Sequence, residues 1–296
     1  SDIQPISLIL GGGGARGLAH IGVIKVLERE NIPIANIVGT SMGAIVGAVY
    51  AQLLDADAVE AKFKALLNSP VYDFSGLNYV RKNRVAEGWI NQVAENIRER
   101  IVISIAQHRK STISRERIYR TAEFLLEQSL IENLSIPFAA IATDLISGEE
   151  IVINKGSVRD AVIASASLPG FLPPFEWNGR VLIDGASTSP VPIRAARKLS
   201  SNPAVAVDVS ARLAPNPKIE NIFDIVLRHY AITAKHYHDL LVAEADILIQ
   251  PGVNDYHWSE FDKIDRFITE GEFAAQDALA VIKRQTRKKL FSFLKS

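Results

Sequence analysis

The sequence predicts an α/β fold: a mostly parallel central sheet flanked by helices on both faces. Three observations carry this expectation. Short apolar runs alternate with longer stretches of helical periodicity along most of the chain. Glycine-rich turns join the first two such runs to the helices that follow them. The 296 residues, 48% hydrophobic and 22% charged, can bury a sizeable core. That length allows one large domain or two small ones. With no low-complexity linker and no internal repeat, we expect one domain over 1–296, carrying an insert at about 69–113 and a basic C-terminal helix at about 260–296.

The elements follow in order. Ile6, Leu8, Ile9 and Leu10 form a buried-strand run at 6–10. A helix over 18–30 places Ile21, Ile24 and Leu27 on one face. A second strand at 34–38 leads into Ala/Val-rich helices over 42–54 and 56–68. The rhythm breaks at 69–113, where Tyr72, Phe74, Tyr79 and Trp89 stand among scattered charges. These aromatics suit either an acyl channel or lid, or an ordinary subdomain core. A helix at 115–130 precedes a strand at 138–142 with a hairpin partner at 151–153. Ser157-Val-Arg-Asp160 reads as a capping start for a helix through Ala166. A strand at 180–183, a helix near 192–199 and a strand at 205–209 come next. A long helix (221–244), a strand (247–249) and a last helix (260–290) complete the chain.

The turn after the second strand is Gly39-Thr40-Ser41-Met42-Gly43. Strand, sharp turn with a central serine, then helix is the setting of a nucleophile elbow. Gly39 and Gly43 let the backbone fold where a Cβ would clash. The turn sets the Ser41 hydroxyl at a helix N-terminus, whose partial positive charge favours an oxyanion.

The turn after the first strand is Gly11-Gly12-Gly13-Gly14-Ala15-Arg16-Gly17. Its bare N–H groups at a helix start suit an anion, either a phosphate or the O⁻ of an acyl-transfer intermediate. Gly12, Gly14 and Gly17 also match the dinucleotide fingerprint. That fingerprint expects an acidic residue about 20 residues on, to hold a ribose. Here the second strand ends in the Ser41 elbow instead. A P-loop fails because Leu18 and Ala19 stand where Lys and Ser/Thr are needed. The nest suits an oxyanion hole. Downstream, Asp184-Gly185-Ala186 follows a strand, so Asp184 points into the crevice beyond the strand ends and can serve as the base for Ser41.

Taken in order, Gly12-Gly13-Gly14-Ala15-Arg16-Gly17, Gly39-Thr40-Ser41-Met42-Gly43 and Asp184-Gly185-Ala186 resemble the signature of the patatin-like phospholipase family. The segment 161–174, AVIASASLPGFLPP, resembles the stretch that precedes the family's Asp strand. The likeness runs from about Ile6 to about Ala211, with a fainter echo at 245–251. One departure is Ser189, where an Asn often precedes the Pro-x-Pro. The resemblance implies a three-layer architecture and a lipid acyl hydrolase of phospholipase A or lysophospholipase type. It implies a Ser41–Asp184 dyad without histidine, an acyl-enzyme intermediate, and no cofactor. Gly12, Gly13 and Gly14 N–H groups would hold the oxyanion, and Arg16 would brace their loop. The implied substrate is a phospholipid, lysophospholipid or neutral glyceride. The alternatives are an acyltransferase on the same scaffold and a non-catalytic regulatory or ligand-sensing module.

Composition and histidine placement narrow the rest. Lys+Arg and Asp+Glu both count 33, so bulk charge argues against a nucleic-acid partner. With no cysteine, disulfides, thiol catalysis and Cys-ligated metals are excluded. No His-Glu-x-x-His occurs, and His236 and His238 fall on different faces of their helix, so no metal is expected. A late-histidine triad has candidates in His229, His236, His238 and His257. The elbow, however, follows only two strands, unlike the α/β-hydrolase order. A malonyl-transferase-like site would want a His between the elbow and the Asp184 strand, and none occurs from Arg109 to Arg228. His20, one turn into the first helix, is expected to pack or hydrogen-bond locally. No apolar run reaches membrane-spanning length, which places the chain in the cytoplasm or peripherally on a membrane. Export stays open, since the chain begins with Ser. Lys283 to Ser296 holds six Lys/Arg and no acid, with Leu290, Phe291, Phe293 and Leu294 after its basic run. It reads either as a segment for anionic membrane surfaces or as a helix end whose apolar residues pack.

Overall fold

The computed structural model of the protein describes residues 3–75, 113–217 and 219–287. Tyr79 and Trp89 of the insert, and Leu290 onward in the basic tail, lie outside the described residues.

An eight-stranded sheet organises the chain in the order β5-β6-β3-β2-β1-β7-β8, with β4 also pairing β3. The strands are β1 (Ile6–Leu10), β2 (Ile34–Thr40), β3 (Phe138–Asp144), β4 (Glu150–Ile153), β5 (Phe175–Trp177), β6 (Arg180–Asp184), β7 (Ala204–Val207) and β8 (Ile247–Ile249). The helices are α1 (Ala19–Arg29), α2 (Met42–Leu53), α3 (Ala56–Leu67), α4 (Pro70–Ser75), α5 (Arg115–Leu125), α6 (Val158–Ser165), α7 (Ile193–Leu199), α8 (Ile222–Val242) and α9 (Ile264–Gln285).

The strands β3-β2-β1-β7-β8 are parallel, and β4, β5 and β6 pair antiparallel, so the sheet is mixed but mostly parallel. Alternation along the central strands supplies two cores. Leu8, Leu10, Ile37, Phe138 and Ala140 join the larger core with α1, α2, α3 and α9. Ile9, Val38, Ala139, Ile141 and Ala206 face the smaller core with Ile193 and Ala196 of α7. Apolar side chains on both faces explain why these strands read as continuous hydrophobic runs.

The direction of β6 matters most for the site. Ala142 of β3 pairs with Ile151 of β4 and with Asp184 of β6, so β4 and β6 flank β3 on opposite sides. Ala140 likewise pairs with both Gly39 of β2 and Ile153 of β4. Thus β2 and β6 lie on the same side of β3. Thr40 is level with Ile141, and Asp184 with the next residue, Ala142. The two strands meet head to head, so their C-terminal ends face each other.

The hairpin β5–β6 was not among the sequence expectations, although Asn178-Gly179 marks it. Both residues take positive φ, 48° and 76°, as a tight two-residue turn demands.

Candidate active site

Ser41 sits between β2 and α2 at φ 54°, ψ −122°, a conformation L-residues rarely adopt. Its neighbours hold it there. A Cβ on Gly43 would fall 2.1 Å from the Leu10 carbonyl, and one on Gly39 would fall 2.5 Å from the Ala44 nitrogen. The glycines therefore serve close backbone approach, not positive φ. The Ser41 N–H donates to Ser165 Oγ at 2.9 Å, and Ser165 Oγ–H donates to the Ile141 carbonyl at 2.5 Å. The Thr40 hydroxyl donates to the Ser189 carbonyl at 2.8 Å. The turns on either side of the site are thus tied together.

Asp184 ends β6 opposite Ser41 and is only 2% exposed. Burial pushes its pKa up to about 6, against hydrogen bonds from the Ser41 hydroxyl and the Ala186 N–H. The Ala186 N–H donates to Asp184 Oδ1 at 2.8 Å. A Cβ on Gly185 would lie 2.2 Å from the Ile141 carbonyl, which is why glycine follows the Asp. A carboxylate kept from water beside a serine hydroxyl is a stronger base than a solvated one.

The glycine loop passes over the serine. A Cβ on Gly12 would meet Ser41 Cβ at 3.3 Å. The Gly12 N–H donates to the Pro190 carbonyl at 2.9 Å, so it is spent on structure. The candidate oxyanion donors thereby narrow from three glycines to Gly13 and Gly14. Gly14 has φ +58°, and its Cα packs on the Trp258 backbone, where any side chain would collide. Arg16 is nearly buried. Its Nε donates to the Val209 carbonyl at 2.9 Å and Nη1 to the Tyr256 carbonyl at 2.9 Å. Burial lowers its pKa from the ordinary value while Asp208 and Glu260 raise it. It staples the loop to the segments after β7 and β8.

Ser41 and Asp184 open on a cavity of about 580 Å³. Ile45, Ile118, Leu125, Val162, Phe171 and Leu172 are among its walls. Its polar lining includes Arg16, Arg117, Thr121, Ser210 and the glycine loop. An apolar cavity of this size with a few convergent polar groups suits an alkyl chain anchored at one reactive end.

Histidines stand apart from this arrangement. His20 is fully buried, its Nε2 is 2.7 Å from the Gly11 carbonyl, and burial lowers its pKa to about 4. It is a neutral local hydrogen-bonder, as expected from the sequence. His238 Nε2 meets Ser210 Oγ at 3.0 Å and Asp208 Oδ1 at 3.1 Å. His257 Nδ1 meets Ser259 Oγ at 2.7 Å. No group of three or more metal-binding side chains occurs among the described residues.

Ser165 was not singled out by sequence reasoning. The only signal was its place in the 161–174 segment. Ser189, the departure from the resembled pattern, hydrogen-bonds through its hydroxyl to Glu150 instead.

Comparison with known proteins places the chain in a family. The family model described as patatin-like phospholipase matches residues 8–197. A patatin-like phospholipase domain-containing protein of Caenorhabditis elegans is 32% identical over 208 residues, 70% of this chain and 14% of that protein. A lysophospholipase of Debaryomyces hansenii is 26% identical over 301 residues, 93% of this chain and 18% of that protein. The chain spans at most half the length of the first curated relatives it matches. The crystal structure of VipD from Legionella pneumophila is similar at 13% identity and TM-score 0.48, covering 95% of this chain and 67% of that one.

Proposed function

The chain belongs to the patatin-like phospholipase family, and from that premise we propose that it is a lipid acyl hydrolase working through a Ser41–Asp184 dyad. The observation that carries the reading is the buried carboxylate of Asp184 accepting the Ser41 hydroxyl at the mouth of an apolar cavity. Ser41 Oγ attacks the ester carbonyl while its proton passes to Asp184. The carbonyl oxygen becomes an oxyanion, held by the N–H groups of Gly13 and Gly14. As the tetrahedral intermediate collapses, the C–O bond to the alcohol breaks. Asp184 returns the proton to that leaving oxygen and leaves an acyl-serine. Water then gives its proton to Asp184, attacks the acyl carbonyl, and releases the fatty acid with Ser41 restored.

The apolar walls select the acyl half of the substrate, which supports a phospholipase A or lysophospholipase reaction. A fluorophosphonate probe should label Ser41. Ser41→Ala should lose label and at least about a thousandfold in kcat/KM on a p-nitrophenyl ester, with an unchanged circular dichroism spectrum. Medium and long acyl esters should be preferred to acetyl. An unlabelled, inactive parent chain would favour a ligand-sensing module. Near-full activity in Ser41→Ala would refute the dyad.

A further inference from the structure

The helix α8 is exposed along most of its length and leaves an apolar face uncovered. At 100° per residue, Asp224, Arg228, Lys235 and Asp239 share one narrow stripe. At the helix start that stripe is turned onto the protein's own loop. Asp224 accepts the Glu220 and Asn221 N–H groups, and Arg228 donates to the Ala214 carbonyl. The apolar side chains face out: Ile222 is 79% exposed, Ile225 57%, Leu227 54% and Tyr230 67%. Scattered exposed leucines are ordinary, but a contiguous apolar face of this kind marks a surface that something covers.

Its position says where the covering lies. Four residues past the end of α8, Asp246 accepts the Ala204 N–H, so the chain there is level with the bottom of β7. His238 is level with the top, at Asp208 and Ser210. The helix therefore runs antiparallel to β7, and its residues before His238 continue past the catalytic edge of the sheet. Sixteen residues at 1.5 Å each carry Ile222 about 24 Å beyond that edge. The foot of this projection touches both turns of the site. The Tyr237 hydroxyl donates to the Thr188 carbonyl, just after Asp184-Gly185-Ala186. His238 meets Ser210, which lines the catalytic cavity.

We propose that α8 is a docking prong that inserts into a lipid surface and seats the cavity mouth on it. The inference rests on the lipid acyl hydrolase reading, because that reading puts the ester in a bilayer or micelle. The foot of the prong touches Thr188 and Ser210, so a surface engaged by this face lies beside the turns that carry Ser41 and Asp184. The apolar face opposite the Asp224–Asp239 stripe is that of an interfacial amphipathic helix, which sinks only that face into lipid. At the free end this face carries Ile222, Ile225 and Leu227. Tyr230 and Tyr237 form a lower aromatic band suited to the headgroup level. The polar stripe pairs two acids with two bases, so no anionic lipid is called for.

The test uses the full chain with zwitterionic phosphatidylcholine vesicles. Ile222→Ser, Ile225→Ser and Leu227→Ser combined remove exposed aliphatic area without touching the core or the dyad. Vesicle binding should fall about tenfold or more, given the apolar area lost. Hydrolysis of vesicle phospholipid should fall in proportion, while kcat/KM on a soluble short-chain ester stays unchanged. Equal vesicle binding by variant and parent would overturn the proposal. A parent dimer that the triple variant splits, with vesicle binding intact, would assign the face to a second copy and also overturn it. A parent inactive on both esters, whose vesicle binding the variant still loses, would support docking while refuting the hydrolase reading.

Discussion

Asp184 is held in tension between two environments, and that tension gives it measurable behaviour. Burial disfavours its charged form, and the Ser41 and Ala186 hydrogen bonds favour it, with burial winning. The base must be ionised to accept a proton, so kcat/KM should rise with pH through an apparent pKa near 6 and then level off. A pH–rate profile with its acid limb near pH 4 would contradict this. The same shift has the opposite sense for stability. The folded pKa of about 6 lies above the unfolded 3.8, so the folded state binds more protons between them. This group's contribution therefore falls as pH rises from about 4 to 6 and stays low above it. Asp184→Asn should abolish hydrolysis yet melt higher than the parent at pH 8, by up to about 3 kcal/mol before the altered hydrogen bonds are counted. The gap should close at pH 4. Ser41, Asp184 and Arg16, each singled out in the sequence by its own motif, line one cavity. What stayed hidden depends on backbone partners remote in sequence. The Pro190 carbonyl spends the Gly12 N–H, and Ser165, on a different helix, holds the Ser41 N–H.

At the scale of elements, helix contact is set by glycines that no motif flags. A Cβ on Gly22 of α1 would lie 1.9 Å from the Ile268 carbonyl of α9, and one on Gly271 of α9 would lie 2.0 Å from the Ala19 carbonyl of α1. Alanine in a helix interior gains up to about 1 kcal/mol in propensity over glycine. Here it would have to push two backbones apart, and overpacking of that kind costs about 3 kcal/mol or more. Overpacking wins, so Gly22→Ala and Gly271→Ala should each lower the urea midpoint clearly, while kcat on a soluble ester changes little. A midpoint equal to the parent's would mean the helices can separate freely. The strands and helices around both signature turns were readable because a buried parallel strand and an amphipathic helix leave different periods in sequence. Strand direction leaves no such trace. Nothing in Arg180 to Asp184 says that the strand runs against its neighbour, and the Asn178-Gly179 hairpin is the one local cue that it must turn back.

Across the whole molecule, the first and last described residues are joined. The Gln4 N–H donates to the Thr286 carbonyl, Ile3 bridges Arg287, and Lys283 pairs with Glu30 at 2.7 Å. Ile282 and Thr286 are fully buried. The first part of the basic segment is therefore structural, which supports the helix-end reading for Lys283 to Arg287. Beyond it, the sequence holds Lys288, Lys289 and Lys295. The two roles separate by where the chain is cut. Removing everything after Val281 exposes the core beneath Ile282 and should cost about 2–5 kcal/mol, as deletion of a large buried aliphatic side chain does. Ending the chain at Arg287 keeps those contacts and should avoid that cost. If the remaining segment engages membranes, the loss of three lysines at about 1 kcal/mol each should weaken binding to anionic vesicles about a hundredfold at low salt. That loss should shrink in high salt, where counterions screen the surface. Binding to zwitterionic vesicles, which the α8 prong governs, should not change with this truncation. Equal partitioning of both chains onto anionic vesicles at low salt would remove the tail from membrane binding altogether.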